Sequence, residues 1–433
     1  MKEYFHSVRL YREKCKGCTN CIKKCLTEAI RVRNGKAQII PERCIDCGEC
    51  IRVCPHHAKV AVTDHISRLS RYRYTIALPA PSLYAQFKKA ENIESILSGL
   101  IGLGFDHVFE VALGAEVVSR IIRKEIETLP KPVISSACPA ILRLIQVRFP
   151  DLLDHIVNVD SPMEAAAYIS KKEFSQKHGV PMEDIGAFFI TPCAAKMTAI
   201  RNPLGNKKSF VDGAFSIVDI YAELNQNIKK GETPMQFDSA TPIGIGWALS
   251  GGETTAVKNK NALFVDGIQN VLEVLEQIEN GRLSDLDFLE GLCCPGGCVG
   301  GPLVVENPFI GRTKIQRLME KVQPAEDINE RVEEMSASYN LRLSEPLLPR
   351  EVMKLDEDMS VAMKKIQDIE EIAKRLPGLD CSSCGSPSCM ALAEDIVKGE
   401  AKELDCIFRL KEQLQGLAED LVSIASWDNP FSK

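Results

Sequence analysis

Cysteine is the residue in this chain best placed to do chemistry, and its spacing is patterned. Cys15-x2-Cys18-x2-Cys21-x3-Cys25 and Cys44-x2-Cys47-x2-Cys50-x3-Cys54-Pro55 repeat one arrangement within the first 55 residues. Cys381-x2-Cys384-x4-Cys389-x16-Cys406 forms a different group far downstream. Only five thiols lie between them. Cys138 sits in Ser135-Ser136-Ala137-Cys138-Pro139, and Cys193 in Thr191-Pro192-Cys193-Ala194-Ala195-Lys196. Cys293, Cys294 and Cys298 share the stretch from Glu290 to Gly301. Thiolates are soft donors that suit zinc or iron–sulfur centres. The total of 17 is odd, and the start Met1-Lys2-Glu3-Tyr4-Phe5 has no apolar leader. Both points favour a cytoplasmic, reducing setting in which the thiols are metal ligands rather than disulfides.

The N-terminal repeat is similar to the two-cluster bacterial ferredoxins. Three thiolates two residues apart can wrap one face of a cubane. The fourth, three residues further on, points to the neighbouring cluster. One [4Fe–4S] cluster is therefore expected on Cys15, Cys18, Cys21 and Cys54, and a second on Cys44, Cys47, Cys50 and Cys25. Leu26 stands where a Pro usually follows the fourth Cys, a change that removes no ligand. Zinc is the alternative, disfavoured by the doubled spacing. Cys381, Cys384 and Cys389 lie in a Gly/Pro loop and Cys406 comes from a later helix. This group resembles the small iron–sulfur domains at the ends of several electron-transfer proteins. A third [4Fe–4S] cluster is expected there, with zinc open.

The elements that must hold these loops follow from local pattern. Hydrophobic residues make up 45% of the 433, enough for a core, and no apolar run reaches the length of a membrane span. Strands are expected at Val8–Leu10, 37–40, 75–78, 133–136, 187–191 and 262–265. Helices are expected over 83–103, 114–128 and from Ala140. This strand–helix alternation argues for α/β architecture with parallel sheets, with sites at the strand ends. A long amphipathic helix over 351–376, a second over 390–399 and a third from Glu403 to about Ile424 close the chain, before a frayed tail at 427–433. Three domains are expected, at 1–72, 73–345 and 346–433. Residues 1–73 carry 16 Lys/Arg against 7 Asp/Glu, a net +9, so the rest sums to −15. No docking motif or aromatic platform accompanies the basic segment, so nucleic acid is not expected. Offset of the clusters' negative charge explains it as well as a solvated basic face does.

The three central Cys loops resemble the active-site signatures of the [FeFe]-hydrogenases, over about residues 74–312. Phe105–Glu110, Leu113–Glu116, Ser161-Pro162 and 244–252 support the likeness. It implies a two-lobed α/β domain holding an H-cluster, a [4Fe–4S] cubane joined through one Cys to a two-iron unit with CO, CN⁻ and a bridging dithiolate. It also implies that Cys138, Cys193 and Cys294 bind the cubane and that Cys298 bridges to the two-iron unit. Lys196 would hydrogen-bond a cyanide. Gly296, Gly297, Gly300 and Gly301 would let the backbone approach the cluster. H₂ and protons would be the substrates, a ferredoxin-like or other redox protein the partner, and separate maturation machinery the source of the two-iron unit.

Departures from that family fall on the proton route. Ala137 stands where efficient hydrogenases have a relay Cys, Ile122 where they have a Glu, and Val157 where they have a Ser. Glu125 persists. Thr191 and Leu292 replace two Met. The pattern is similar to divergent sensory-type members. Slow H₂ turnover suited to sensing or regulation is expected, since a positioned proton donor is worth about 10²–10⁴-fold. Cys293 is either a packed small residue or a substitute proton donor. Glu116 and Glu290 are weaker candidates for that role, or solvated carboxylates. The rival readings are a non-catalytic relative working in electron transfer or cluster assembly, and a signalling adaptor that binds H₂ with almost no turnover.

Overall fold

Thr75-Ile76-Ala77-Leu78 is too short for a helix and is apolar throughout, as a strand covered on both faces requires. It forms the centre of strand Tyr74–Pro79 in a computed structural model that describes residues 4–88, 92–230, 237, 240–352 and 354–425. That strand pairs in parallel with Ile185–Thr191 (Tyr74 opposite Ile185) and with His107–Val108, and Gly213–Ser216 completes a four-stranded sheet on the far side of Ile185–Thr191. A second parallel sheet of three strands has Phe288–Leu292 between Ala262–Asp266 and Val133–Ile134. Helices cover both sheets, among them Val111–Glu125, Pro139–Arg148 and Pro162–His178. The two-lobed parallel α/β architecture expected from the sequence is the one found. The core runs through Ile76, Leu78, Phe188, Ile190 and Phe288, all essentially inaccessible.

These elements belong to the larger of two compact units, comprising Met1–Arg9, Ile45–Gly48 and Val60–Arg350. The smaller comprises Leu10–Cys44, Glu49–Lys59 and Glu351–Lys433, so the sequence segments 1–72 and 346–433 contribute most of their residues to a single body. Within it, the hairpin Ile30–Arg33/Lys36–Ile39 turns at Asn34-Gly35, both at positive φ, as a tight two-residue turn requires.

Asp395 on helix Cys389–Val397 joins the two sequence ends of this unit. It accepts from Arg31 Nε at 2.7 Å, Arg33 at 2.6 Å and Ser386 Oγ at 2.7 Å. Arg43 pairs with Glu394 on the same helix.

Several element boundaries differ from expectation for local reasons. The expected helix over 83–103 is a 3-10 turn at Pro81–Ala85 and a separate helix Ile93–Ile101, started by the Asn92 side chain accepting from Ser95 N. The helix expected from 351 begins only at Met359, because the Asp358 carboxylate caps the N–H groups of Ser360 and Val361. The helix expected from Glu403 opens as a 3-10 turn and is regular over Ile407–Ala425. The tail at 427–433 lies outside the described residues.

Candidate functional site

Each central Cys loop follows the carboxyl end of a strand. Cys138 is the residue before helix Pro139–Arg148, four residues after Val133–Ile134. Cys193 follows Ile185–Thr191 and precedes helix Ala194–Arg201. Cys293 and Cys294 follow Phe288–Leu292, and Cys298 opens a 3-10 turn ending at Gly300. Cys138 and Cys193 therefore stand at helix N-termini, whose dipole favours negative charge. Arg143, fully buried on the first helix, donates to Ala195 O at 3.2 Å and Asn202 O at 3.4 Å, locking the two Cys-bearing helices together. The third loop braces the second. A Cβ on Gly301 would lie 2.3 Å from Pro192 O, so only glycine allows that contact. Gly297 has φ +93° and would meet Ser250 N at 2.5 Å. What these glycines visibly admit is neighbouring protein backbone.

Cys138, Cys193, Cys294 and Cys298 line one cavity, together with Lys196 and Cys293. The rest of the wall is largely apolar, including Val111, Met163, Phe189, Trp247 and Leu292. Burial pushes the Cys298 thiol up to about 12 and raises Cys193 still further, with the charges of neighbouring thiolates adding to both. Four such thiols can ionise together only beside a compensating cation. Lys196 is 9% exposed, and its Nζ donates to Ala137 O at 3.2 Å. It has no ion pair among the described residues, and it sits near a helix N-terminus, where a cation is disfavoured. Soft donors converging in an apolar chamber beside a buried ammonium fit an iron–sulfur centre carrying an anionic group.

Sequence reasoning missed one of the cavity's two carboxyl groups. Glu253 lines the cavity and accepts from Ser135 Oγ at 2.6 Å, while its Oε1 is buried with no hydrogen-bond partner. Burial, then the charge of Glu290, holds its carboxyl well above the ordinary range. Its signal was Ser250-Gly251-Gly252-Glu253, a glycine-rich entry to a helix. Glu290 also lines the cavity and is fully buried, not solvated. It accepts from Gly251 N at 2.9 Å and from Thr254 N and Oγ1 at 2.7 and 2.8 Å. Glu116 is buried too, but it accepts from Thr241 N and Oγ1 away from the cavity wall. Glu125 pairs with Arg342 at 2.5 Å, and Ile122 and Val157 are packed in the core. Cys293 directs its thiol towards Cys47 O at 3.9 Å. A smaller cavity shares Ala137 and Lys196 with the main one and adds Asp160 and Glu164, pushed by burial up to about 6 and about 7.

Buried carboxylates of this kind give the larger unit an unusual response to pH. Glu110, pushed by burial from 4.5 to about 7, accepts from Tyr84 Oη at 2.6 Å and Ala240 N at 3.0 Å. The folded state holds this proton more tightly than the unfolded chain does. Its contribution to stability therefore falls as pH rises from about 4.5 to about 7, then levels off. The melting temperature of the wild type minus that of Glu110→Gln is expected to fall across this window. A difference that rises would contradict the assignment.

In the smaller unit, Cys15, Cys18, Cys21 and Cys54 line one pocket, the grouping expected from their spacing. Burial opposes ionisation of Cys54, but the N–H groups of Ala58, Lys59 and His56 outweigh it and lower its pKa. Cys384, Cys389 and Cys406 pack in one cluster, and Cys381 and Cys406 lie close enough to Cys384 to raise its pKa after burial does.

Comparison with known proteins agrees with this arrangement. The family model for the C-terminal domain of the iron only hydrogenase large subunit matches residues 73–263 and 252–302, together more than half of the chain. A 4Fe-4S dicluster domain matches residues 7–55, and an Fe-S cluster model matches 376–408. The NADP-reducing hydrogenase subunit HndD of Solidesulfovibrio fructosivorans is 24% identical over 326 residues, covering 60% of this chain and 55% of that protein. The chain thus spans little more than half the length of that relative. The "Probable cytosolic Fe-S cluster assembly factor GG21400" of Drosophila erecta is 20% identical over 367 residues, covering 69% of this chain and 73% of its own. Among solved structures, an [FeFe]-hydrogenase of Chlamydomonas reinhardtii matches with a TM-score of 0.50 at 17% identity, covering 66% of this chain and 98% of that one, a likeness of fold. Among the described residues no helix is long and apolar enough to cross a membrane. With its parallel α/β lobes and its Cys-lined cavity inside the matched region, the chain belongs to the family defined by the C-terminal domain of iron-only hydrogenase large subunits.

Proposed function

We propose that this protein is a slow [FeFe]-hydrogenase that interconverts H₂ with protons and electrons, in a sensing or regulatory role in the cytoplasm. One observation carries the reading. Lys196, buried and without an ion pair among the described residues, lines the same cavity as Cys138, Cys193, Cys294 and Cys298. That ammonium would offset the negative charge of a thiolate-held cubane and would also give a charge-assisted hydrogen bond to a cyanide on an attached iron unit.

Cys138, Cys193 and Cys294 would hold the cubane of an H-cluster, with Cys298 shared between it and the two-iron unit. When bound, that group supplies the redox-active iron at which the H–H bond is made or cleaved. The apolar wall excludes water. Burial and the charge of Glu290 favour the protonated form of Glu253, whose Oε1 has no hydrogen-bond partner, and Ser135 orients its carboxyl. Glu290, with three donors on its carboxylate, would be the second proton-carrying group of the same cavity. This pair stands in for the relay that Ala137 cannot provide. Cys15, Cys18, Cys21 and Cys54, then Cys25, Cys44, Cys47 and Cys50, and finally Cys381, Cys384, Cys389 and Cys406 would hold three further [4Fe–4S] clusters for electron exchange with a redox partner protein. The segments 1–72, 73–345 and 346–433 are proposed as the corresponding modules.

A second reading has one observation in its favour. The likeness to an assembly factor covers 69% of the chain, which suits a non-catalytic iron–sulfur protein. Anaerobic H₂ oxidation with a viologen acceptor separates the two, after loading with the two-iron unit. Slow turnover above the unloaded protein is expected. No turnover and no H/D exchange on D₂ would favour the second reading.

A further inference from the structure

The helix Ile407–Ala425 has no buried residue, yet it is strongly amphipathic. Ile407, Leu410, Leu414, Leu417, Leu421 and Ile424 follow one another at alternating intervals of three and four. Each is between 40% and 69% exposed. Six consecutive apolar positions of an a/d repeat are thus presented to solvent along one side of a 19-residue helix. Such a helix is marginal in water unless its apolar face is covered. Gly416, in its interior with no atom within 4 Å of where a Cβ would sit, weakens it further. No other described helix packs its length.

We propose that this helix pairs with the same helix of a second copy of the chain, as a short coiled coil. The 3-4 spacing is the one that keeps a seam facing a partner helix as the two supercoil. The seam is self-matching in either direction. Parallel copies set each a and d residue against its own twin, with Gln413 beside Ala418 and Asp420 beside Ala425, so no like charges oppose each other. Antiparallel copies stack Ile407 on Ile424, Leu410 on Leu421 and Leu414 on Leu417.

Size favours the same occupant. Covering roughly 100 Å² on each of six side chains removes about 1,200 Å² for the pair, the lower edge of what stable interfaces bury. A lipid surface fits less well. The polar side carries Arg409 and Lys411 against Glu412, Glu419 and Asp420, whereas interfacial helices are rich in Lys and Arg. The proposal does not depend on the hydrogenase reading, because it concerns a surface remote in sequence from the central Cys loops.

The test is the mass of the full chain in solution, by light scattering after anaerobic gel filtration at micromolar concentration. Two copies are expected for the wild type and one for the double variant Leu414→Glu/Leu417→Glu. Unchanged iron–sulfur visible absorbance shows that the variant has folded. The conservative Leu414→Ile/Leu417→Ile should remain dimeric, which separates loss of the seam from any substitution there. A single-copy wild type would overturn the proposal, as would a dimer that survives both Glu substitutions. Monomeric wild type that cosediments with phosphatidylserine vesicles would assign the face to lipid instead, and monomer that shifts only when a second protein is added would assign it to that protein.

Discussion

Glu253→Gln is expected to lower H₂ oxidation by about 10²–10⁴-fold, the usual worth of a positioned proton-transfer group. The substitution keeps the size of the side chain and an oxygen that can still accept from Ser135 Oγ, so the local fold should survive. What it removes is a cavity-lining carboxyl whose pKa is raised by burial and then by the charge of Glu290. Glu290→Gln should also slow turnover, because it takes away the second proton-carrying group. Cys293→Ala should change the rate by less than about twofold. Its thiol lines the cavity but already approaches Cys47 O at 3.9 Å. Rates compared at equal cluster content decide the matter. A fast Glu253→Gln enzyme paired with a slow Cys293→Ala enzyme would reverse the two assignments.

Asp395→Ala is expected to destabilise the smaller unit by about 3–5 kcal/mol, the range for breaking one side of a buried ion pair. Asp395 is 2% exposed and meets the guanidinium groups of both Arg31 and Arg33. Its removal leaves two cations facing each other with their carboxylate partner gone, Arg31 almost wholly out of water. The same residue receives the Ser386 hydroxyl, in the loop between Cys384 and Cys389. Loss of the C-terminal cluster's iron should therefore accompany loss of stability. Denaturant unfolding with iron analysis checks both. A variant of wild-type stability and full iron content would refute this role.

How far the chain could be read in advance depended on whether chemistry or packing set each residue. The Cys groups stand out in the sequence because metal-ligand loops constrain residue spacing directly. Cys15, Cys18, Cys21 and Cys54 meet in one pocket, and the four central cysteines in another. Strands Tyr74–Pro79 and Ile185–Thr191 were legible because both faces are buried, leaving continuous apolar runs. Phe288–Leu292 was not, since Glu290 and Gly291 interrupt it, and the Glu is there for Thr254 and Gly251. Glu253 was missed because only burial, invisible in sequence, separates it from a solvated helix-start carboxylate. The segment from Glu403 to about Ile424 read as a helix, but the exposure of its apolar residues could not be known.

Infrared spectroscopy of the protein after maturation tests the central claim most directly, because iron-bound CO and CN⁻ absorb where polypeptide does not. CO and CN⁻ bands are expected in the wild type, with the CN⁻ bands shifted in Lys196→Ala. A matured protein that holds its full complement of cubane iron but displays neither kind of band would contradict the account.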